Sequence, residues 1–366
     1  MIIPNLTIPS SNPGEGWLDA LAEHILDWSL CGKTCLTIIG PPSAELIADL
    51  ETVIKRVGGA VDLLIRSDHL TEDDALKLLN VGGSKIVCST SFMQQAQVIP
   101  EDRMIVLADE SADELAAGEH VLLENAPSVD QVAALEKIRV DAIIDSSWLA
   151  ENLDFLGQFF AAVLTSDRPD GLWPTVITDP LGIALGLAYS NAESLTHALK
   201  TRQGTYWSRS RNELWIKGAT SGATQQLLGV RMDCDRDCLR FTVTQDAPGF
   251  CHRQIHTCFG EERSIATVVQ RLAERIADTD PKSFTRKLAN DPQMLRTKLL
   301  EEAEELSEAS QTDDVHEIAW EAADVLYFSL VAMLKNGVAL EKVHQELARR
   351  MNRVVRRKNK LEPENN

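Results

Sequence analysis

The segment CLTIIGPPSAELIADLETVIKRV, residues 35–57, joins an apolar run at 35–39 to a helical pattern of apolar side chains. Such a run is typical of a buried strand, and Leu46, Leu50 and Val53 share one face of the helix that would follow. Similar runs recur at residues 61–65, 85–88, 104–107, 121–123 and 142–144. Alternating strands and helices favour a parallel sheet covered by helices. We therefore predict an α/β domain over residues 1–165, a degenerate β/α barrel, although a doubly wound sheet fits almost as well.

Two further changes of pattern divide the rest of the chain. The alternation ends near SDRPDG, residues 166–171, and strands with turns follow as far as about Phe259. After Gly260 the pattern changes to long helices without a strand signal. We predict a mainly β middle domain over residues 166–262 and an all-α carboxy-terminal domain over residues 263–360. Three domains suit a chain of 366 residues, because one hydrophobic core seldom organises so many.

Composition excludes several classes of protein. A formal net charge of −19 argues against nucleic-acid binding, which needs a positive field. No apolar run approaches the ~20 residues of a membrane span, and the start of the chain lacks the basic region of a secretory signal. We expect a cytoplasmic protein without membrane or nucleic-acid partners. The seven cysteines are then thiols or metal ligands, not disulfides.

The most distinctive local pattern is DCDRD, residues 233–237. If this stretch is extended, its three aspartates point to one face and Cys234 to the other. Carboxylates suit Mg²⁺ and thiolates suit Zn²⁺. Cys234 with Cys251 and Cys258 would leave a fourth zinc position for water, as in catalytic sites. Alternatively, Cys234 and Cys238 are small buried residues and the aspartates form a solvated turn.

Three flanking motifs add a resemblance to a known family. They are YWSRSRNELWIKGATSG at residues 206–222, GFCH at 249–252 and HTCF at 256–259. Together they resemble the phosphoribosyl-AMP cyclohydrolase family over roughly residues 167–260. The resemblance implies hydrolysis of an adenine ring between N1 and C6, and a zinc site shared across a dimer. It also implies two sets of metal ligands. Magnesium would be bound by Asp233, Asp235 and Asp237. Zinc would be bound by Cys234, Cys251 and Cys258.

Other side chains of this region are candidates for proton transfer and substrate binding. His252, next to a predicted zinc ligand, is the candidate for moving protons, or else it only orients the zinc site. Donors suited to a monophosphate and a ribose are Arg209, Arg211, Lys217, Thr220, Ser221 and Gly222. The family usually has two arginines between the last two cysteines, whereas this chain has Gln254-Ile255-His256 in that stretch.

A second acidic pattern lies in the helical third of the chain. Glu302 and Glu305 are one turn apart on a helix predicted over residues 294–310, and Glu321 and Asp324 are similarly spaced on a helix over 315–334. Facing helices would gather four carboxylates, which repel one another unless cations such as Mg²⁺ neutralise them. The segment EEAEE, residues 301–305, could instead be a solvated acidic stripe. Glu321 and Asp324, however, sit among apolar residues expected on the buried face, namely Ile318, Ala322, Val325 and Leu326.

This pattern, with Ser283-Phe284-Thr285, Lys287-Leu288 and Lys298 upstream, resembles the phosphoribosyl-ATP pyrophosphohydrolase family over about residues 265–350. The resemblance implies that Glu302, Glu305, Glu321 and Asp324 bind magnesium for release of pyrophosphate. It also implies assembly through the helices, so we expect a homodimer. Lys298 could neutralise phosphate charge or be an ordinary surface lysine. The basic stretch from Arg349 to Lys360 could contact phosphates or be a solvated helix end followed by a frayed tail, and we favour the second interpretation.

The two resemblances concern consecutive steps of histidine biosynthesis, which favours a bifunctional enzyme acting on small nucleotides. Rival hypotheses are a broad nucleoside triphosphate pyrophosphatase fused to an inactive zinc module, and a non-catalytic, metal-stabilised interaction protein.

Residues 1–165 weakly resemble the extra amino-terminal region of fungal histidine-pathway fusions, and we interpret them as a scaffold. There, Gly82-Gly83 with Lys85 could cradle a phosphate or form a turn, and Cys31 and Cys35 are spaced like half a metal site.

Overall fold

The computed structural model describes residues 1–108, 115, 117–123, 126–260, 264–278, 280 and 282–354. The chain separates into two compact units, one formed by Met1–Gly260 with Gln345–Asn366 and the other by Glu261–His344. In the described ranges no single helix has both the length and the apolar character of a membrane span. Helices Val315–Lys335 and Leu340–Met351 meet both criteria only when they are taken together as a bent pair.

The strands are β1 Ile2–Pro9, β2 Lys33–Ile39, β3 Asp62–Arg66, β4 Lys85–Cys88, β5 Met104–Ala108, β6 His120–Leu123, β7 Asp141–Asp145, β8 Trp173–Thr178, β9 Ala184–Ser190, β10 Thr205–Ser208, β11 Glu213–Ile216, β12 Gln225–Met232 and β13 Leu239–Gln245. The α-helices are α1 Trp17–Asp27, α2 Ala44–Val57, α3 Glu72–Val81, α4 Thr90–Gln95, α5 Val129–Lys137, α6 Ser146–Glu151, α7 Leu153–Val163, α8 Ala192–Thr201, α9 Ile265–Ala277, α10 Phe284–Asn290, α11 Pro292–Ala309, α12 Val315–Lys335 and α13 Leu340–Met351. Short 3₁₀ helices lie at Ser29–Cys31 and Glu101–Arg103.

Strands β1 to β7 form a closed parallel barrel, so the alternative of a doubly wound sheet is wrong. The sequence pattern predicted β2 to β7 but missed β1, which pairs with both β2 and β7 and closes the barrel. This strand contains Pro4 and ends at Pro9, and proline cannot donate a hydrogen bond to a strand ladder. Strand β1 is therefore the element that turns an open sheet into a barrel.

A cluster of buried apolar residues, one from each of six strands, links the barrel strands: Ile3, Cys35, Leu64, Val87, Ile105 and Ile143.

Burial raises the pKa of Cys35 to about 12 and that of Cys31 to about 11. Among the described residues, no group of three potential metal ligands with all ligand atoms within 4.8 Å of one another includes either cysteine. Gly82 and Gly83 form the turn that ends α3, since both backbone N–H groups bond back to helix carbonyls.

The middle region is built on a four-stranded sheet in the order β12-β13-β8-β9, with a separate hairpin of β10 and β11. It also contains α8, a helix that the pattern analysis did not predict. Asn191 starts α8 by accepting a hydrogen bond from the Ser194 backbone, and the Ser194 hydroxyl completes a capping box. Fully buried Tyr206 and Phe241 lie in the core between these elements.

Described residues from 264 to 351 are helical or form turns between helices. Helices α11 and α12 lie within two residues of the predicted bounds at each end. Asp291 caps α11 and Pro292 occupies its first turn, where a missing N–H costs nothing. Leu288, Leu295 and Val331 are almost fully buried in a small core of this helical unit.

Candidate active sites

The acid turn, residues 233–237, connects β12 to β13 and adopts a turn, the alternative to the extended conformation that would have put the aspartates and Cys234 on opposite faces. Arg236 has a φ of 67°, which reverses the chain within the turn. One carboxylate oxygen from each of Asp233, Asp235 and Asp237 nevertheless lies within 4.8 Å of the others. The three acids thus gather through a turn rather than through strand alternation.

Hydrogen bonds and charge shift the pKa values of Asp233 and Asp237 in opposite directions. Burial opposes ionisation of Asp233, but its Oδ1 accepts hydrogen bonds from the backbone N–H groups of Cys238 (3.1 Å) and Asp237 (3.0 Å), and the pKa of Asp233 is lowered. The charge of Asp235, followed by a hydrogen bond with Asp233, raises the pKa of Asp237. This concentration of negative charge can accept a divalent cation.

The barrel holds the acid turn in place. The Arg236 guanidinium donates to the backbone carbonyl of Glu136 on α5 at 2.7 Å and pairs with the Glu136 carboxylate at 3.5 Å. The Arg236 carbonyl accepts from the backbone N–H of Thr165 at 2.8 Å. The one left-handed residue of the turn is therefore fixed from both sides.

Cys251 and Cys258 form a thiol pair beside β9. The backbone N–H of Cys258 donates to the carbonyl of Leu185 at 2.8 Å, next to the register shift between β8 and β9. Burial, and then a hydrogen bond with the Cys251 thiol, raise the pKa of Cys258. Phe250 packs over Gly186, where a Cβ would lie only 2.2 Å from a ring carbon. Gly186 therefore allows the loop with the thiol pair to lie against the sheet.

Cys234 lies apart from the thiol pair, exposed in the acid turn. Within the described part of one chain, the three thiols do not form a group with all ligand atoms within 4.8 Å. His252 is exposed, with its Nδ1 4.0 Å from the Cys251 sulfur. One chain thus supplies two neighbouring thiols and a histidine, while Cys234 is exposed in the acid turn and forms no such group with them.

Lys217, a charged side chain near the thiol pair, is more buried than the sequence indicates. The Lys217 ammonium donates to the carbonyl of Ala223 at 3.2 Å and lies 5.4 Å from the centre of the Phe250 ring. Burial lowers the pKa of Lys217, although the charges of Cys258 and Cys251 oppose this shift. Lys217 is therefore placed to interact with the thiol pair.

Asp179, which the sequence analysis missed, lies under His256. Its Oδ1 accepts from the backbone N–H groups of Leu181 (3.0 Å) and Ile183 (2.8 Å), and its Oδ2 is 3.4 Å from His256 Nε2. The only signal in the sequence is a turn-forming Asp-Pro-Leu-Gly before β9. His256, in the stretch that departs from the family pattern, is thus held by a buried carboxylate.

The remaining predicted substrate donors are exposed. Arg209 lies over the Tyr189 ring at 4.0 Å, whereas Arg211 pairs with Glu213 at 3.1 Å. Thr220, Ser221 and Gly222 belong to an exposed turn between β11 and β12, and the Gly222 N–H donates to the carbonyl of Gly218 at 2.8 Å.

The acid quartet, Glu302, Glu305, Glu321 and Asp324, lies between α11 and α12. Ligand oxygens of the three glutamates lie within 4.8 Å of one another. Asp324 is outside that group, but its charge contributes to a raised pKa at both Glu302 and Glu321. In both glutamates burial is the largest cause of the raised pKa, and neighbouring acids add to it.

One oxygen of the quartet lacks a partner. Glu321 Oε2 is buried and has no hydrogen-bond partner among the described residues. An unpaired buried carboxylate oxygen is costly unless a cation or donor reaches it. Lys298, the nearest predicted cation, pairs with Glu301 at 2.9 Å and reaches Glu302 only at 3.8 Å. The quartet therefore offers several carboxylate oxygens, with negative charge that no described side chain fully neutralises, as a divalent-cation site requires.

Comparison with known proteins identifies both regions. Phosphoribosyl-AMP cyclohydrolase is the family matching residues 186–260, and phosphoribosyl-ATP pyrophosphohydrolase is the family matching residues 265–351. Both are hydrolase domains. The acid turn and the thiol pair lie in the first match, and the acid quartet lies in the second.

The chain is similar to several histidine biosynthesis proteins. The chain is 33% identical to the histidine biosynthesis trifunctional protein of Komagataella pastoris over 94% of its own length, and spans 44% of that protein. It is 31% identical to the histidine biosynthesis bifunctional protein his7 of Schizosaccharomyces pombe, with 89% of this chain and 79% of that protein covered. The bifunctional protein HisIE of Synechocystis is 40% identical, with 49% and 89% covered. The chain therefore belongs to the family of histidine biosynthesis proteins that join a phosphoribosyl-AMP cyclohydrolase domain to a phosphoribosyl-ATP pyrophosphohydrolase domain, here with an additional amino-terminal domain.

Proposed function

We propose that this chain catalyses two successive hydrolyses of histidine biosynthesis. The helical domain, residues 263–360, cleaves phosphoribosyl-ATP into phosphoribosyl-AMP and pyrophosphate. The middle domain, residues 166–262, then opens the adenine ring of phosphoribosyl-AMP. The observation that carries the proposal is the presence, in one chain, of an acid quartet and a thiol pair, each inside the matching family region.

The acid quartet would hold magnesium. The unpartnered Glu321 Oε2 and the mutually raised pKa values of Glu302 and Glu321 fit a cation between the helices. When bound, magnesium supplies positive charge to the triphosphate and favours attack by water. The helices fix the four carboxylates in place, because the quartet is drawn from two packed elements rather than from loops.

The thiol pair would hold zinc together with Cys234 of a second subunit. Supporting this arrangement, Cys251 and Cys258 are adjacent in one chain while Cys234 is exposed and apart from them. When bound, zinc supplies a hydroxide near neutral pH. His252, one residue from Cys251, would take up and return the protons of ring opening, and the acid turn would bind magnesium beside the substrate.

A homodimer is part of the proposal, and exposed apolar side chains of the helical unit support it. Trp320 is 72% exposed, Leu300 58% and Leu326 55%. The sequence analysis expected Leu326 on the buried face of its own chain, which is wrong. Large apolar side chains exposed in this way are typical of surfaces that bind another protein.

The amino-terminal domain, residues 1–165, serves as a scaffold in this proposal. Its helix α5 anchors Arg236 of the acid turn through the Glu136 carbonyl and carboxylate, as described above. A support of this kind fixes the geometry of the carboxylates without contributing a catalytic group. We place the enzyme in the cytoplasm, where its small nucleotide substrates would be available.

The main alternative is a broad nucleoside triphosphate pyrophosphatase fused to an inactive zinc module. Purified protein incubated with magnesium and either phosphoribosyl-ATP or ATP is expected to release pyrophosphate faster from phosphoribosyl-ATP. The rate of pyrophosphate release at equal substrate concentration provides the measurement. Faster cleavage of ATP would support the alternative instead.

A further inference from the structure

The barrel has a hollow of about 270 Å³ at the carboxyl ends of β3, β4 and β5. Its lining includes Arg66, Cys88 and Leu107, each of which is the last or next-to-last residue of one of these strands. Parallel strands place their carboxyl ends at the same end of a barrel, and ligands of barrel proteins bind there because several strands and loops converge. The proposed function uses the barrel only as a support and gives this hollow no role.

Arg66 faces the interior of the barrel. The buried cluster that contains Leu64 is drawn from strands alone, whereas the larger core also includes residues of the surrounding helices, so the smaller cluster fills the interior. Arg66 follows Leu64 by two residues on β3, and alternate residues of a strand share a face. Burial raises the pKa of Cys35, another member of the interior cluster, and the charge of Arg66 acts against that shift. A guanidinium therefore lies one layer above the apolar interior, towards the hollow.

The Arg66 guanidinium already binds one carboxylate at this position. Its Nη2 donates to Asp68 Oδ1 at 2.9 Å, and Asp68 is the only carboxylate paired with it among the residues that the structure describes. The side chain of Arg66 is 16% exposed, whereas that of Asp68 is 73% exposed. An exposed carboxylate contributes little to an ion pair and uses only one of the five guanidinium donors. An incoming anion can therefore displace Asp68 at little cost.

The remaining wall of the hollow supplies a hydroxyl and apolar side chains. Ser89 is exposed between β4 and α4, where its hydroxyl accepts from the backbone N–H of Phe92 at 3.3 Å. Half-buried Leu70, Phe92 and Leu107 contribute apolar surface. A phosphate group has three acceptor oxygens, so a guanidinium can bind two of them while a hydroxyl binds the third. The hollow thus offers contacts both to a phosphate and to the carbon skeleton that carries it.

We propose that the barrel binds a small phosphate monoester in this hollow, with the phosphate on Arg66 and Ser89 and the carbon skeleton against Phe92 and Leu107. The volume lies just below the ~300 Å³ at which pockets for drug-sized ligands begin, which fits a compound of the size of a sugar phosphate. The inference does not rest on the proposed function, because the residues that line the hollow lie outside both matched family regions. It adds a binding role to the amino-terminal domain.

The test is hydrogen exchange of the full chain, followed by mass spectrometry in peptides covering residues 66–70 and 88–92. The probes are ribose 5-phosphate, ribose, ribonate and inorganic phosphate, each titrated in the presence of a chelator. Local exchange reports on this hollow separately from any phosphate site elsewhere in the chain. Ribose 5-phosphate should protect the wild-type peptides at the lowest concentration of the four probes. Arg66→Gln should weaken this binding about tenfold, the loss expected for one charge-assisted contact.

Asp68→Asn should change the affinity in the opposite direction. It removes the carboxylate that competes for Arg66, so ribose 5-phosphate should bind about threefold more tightly. A purely structural role of the Arg66–Asp68 pair would not produce this gain. Because Asp68 is exposed, the variant keeps the inference testable even if Arg66→Gln does not fold.

The matched controls are Arg56→Gln and Asp19→Asn, which change an exposed arginine–aspartate pair of α2 and α1 outside the hollow. Both should bind ribose 5-phosphate as the wild type does, and thermal unfolding should show which variants are folded. Unchanged affinity in folded Arg66→Gln or in Asp68→Asn would overturn the inference, as would equal changes in the controls. Binding of any of the other three probes as tightly as ribose 5-phosphate would also overturn it.

Discussion

Replacing Glu321 by glutamine is expected to slow pyrophosphate release from phosphoribosyl-ATP by about 100-fold or more. Glutamine keeps the size of the side chain but removes the charge on a buried oxygen that has no hydrogen-bond partner among the described residues. Without that charge the quartet would hold magnesium more weakly, so the loss should become smaller as the magnesium concentration increases. Initial rates over a range of magnesium concentrations provide the measurement.

The same substitution should act on stability in the opposite direction. In a chelator the charges of Glu305, Glu302 and Asp324 all oppose ionisation of Glu321, so a neutral side chain relieves repulsion. Glu321→Gln is therefore expected to unfold at a higher temperature than wild type without metal. Glu317→Gln, an exposed change one turn earlier on α12, should alter neither property. Equal rates for wild type and Glu321→Gln at limiting magnesium would contradict the assignment of the quartet.

Replacing Cys258 by alanine is expected to abolish ring opening while pyrophosphate release continues at the wild-type rate. Cys258 is one member of the thiol pair, and a missing zinc ligand removes several kcal/mol of charge stabilisation. A loss of about 4 kcal/mol corresponds to a rate about 1,000-fold lower. Phosphoribosyl-AMP should then accumulate, which chromatography of the reaction mixture would detect.

Zinc content measured on the same preparations links this rate to the metal. Cys258→Ala should contain less zinc per chain than wild type, whereas Cys88→Ala, a change at a buried thiol of β4 in the barrel, should not. Ring opening by Cys258→Ala at the wild-type rate would refute the zinc role of the thiol pair. Parallel loss of both activities would indicate a folding defect instead.

Periodicity in the sequence predicted the six barrel strands β2 to β7 and helices α2, α11 and α12, and its failures elsewhere have physical reasons. Helices α11 and α12 were predicted almost to the residue because amphipathic spacing and caps are local signals. Strand β1 was missed because its prolines argue against a strand, although closure of the barrel requires it. The sequence left an extended stretch and a turn as alternatives for residues 233–237, because nothing in it marks the left-handed Arg236.

Parts of the candidate sites formed by distant segments were the least predictable. Glu302 and Glu305 could be paired by their spacing on one helix, and their approach to Glu321 follows from packing of two neighbouring helices. In contrast, the contact of Asp179 with His256 joins residues 77 positions apart.

The most direct test of the central claim follows phosphoribosyl-ATP through both steps in one reaction, with metals first removed and then restored. With magnesium alone, we predict that pyrophosphate and phosphoribosyl-AMP form and that the adenine ring stays closed. Addition of zinc should then produce the ring-opened imidazole product. Formation of that product without zinc, or its absence with both metals present, would contradict the account.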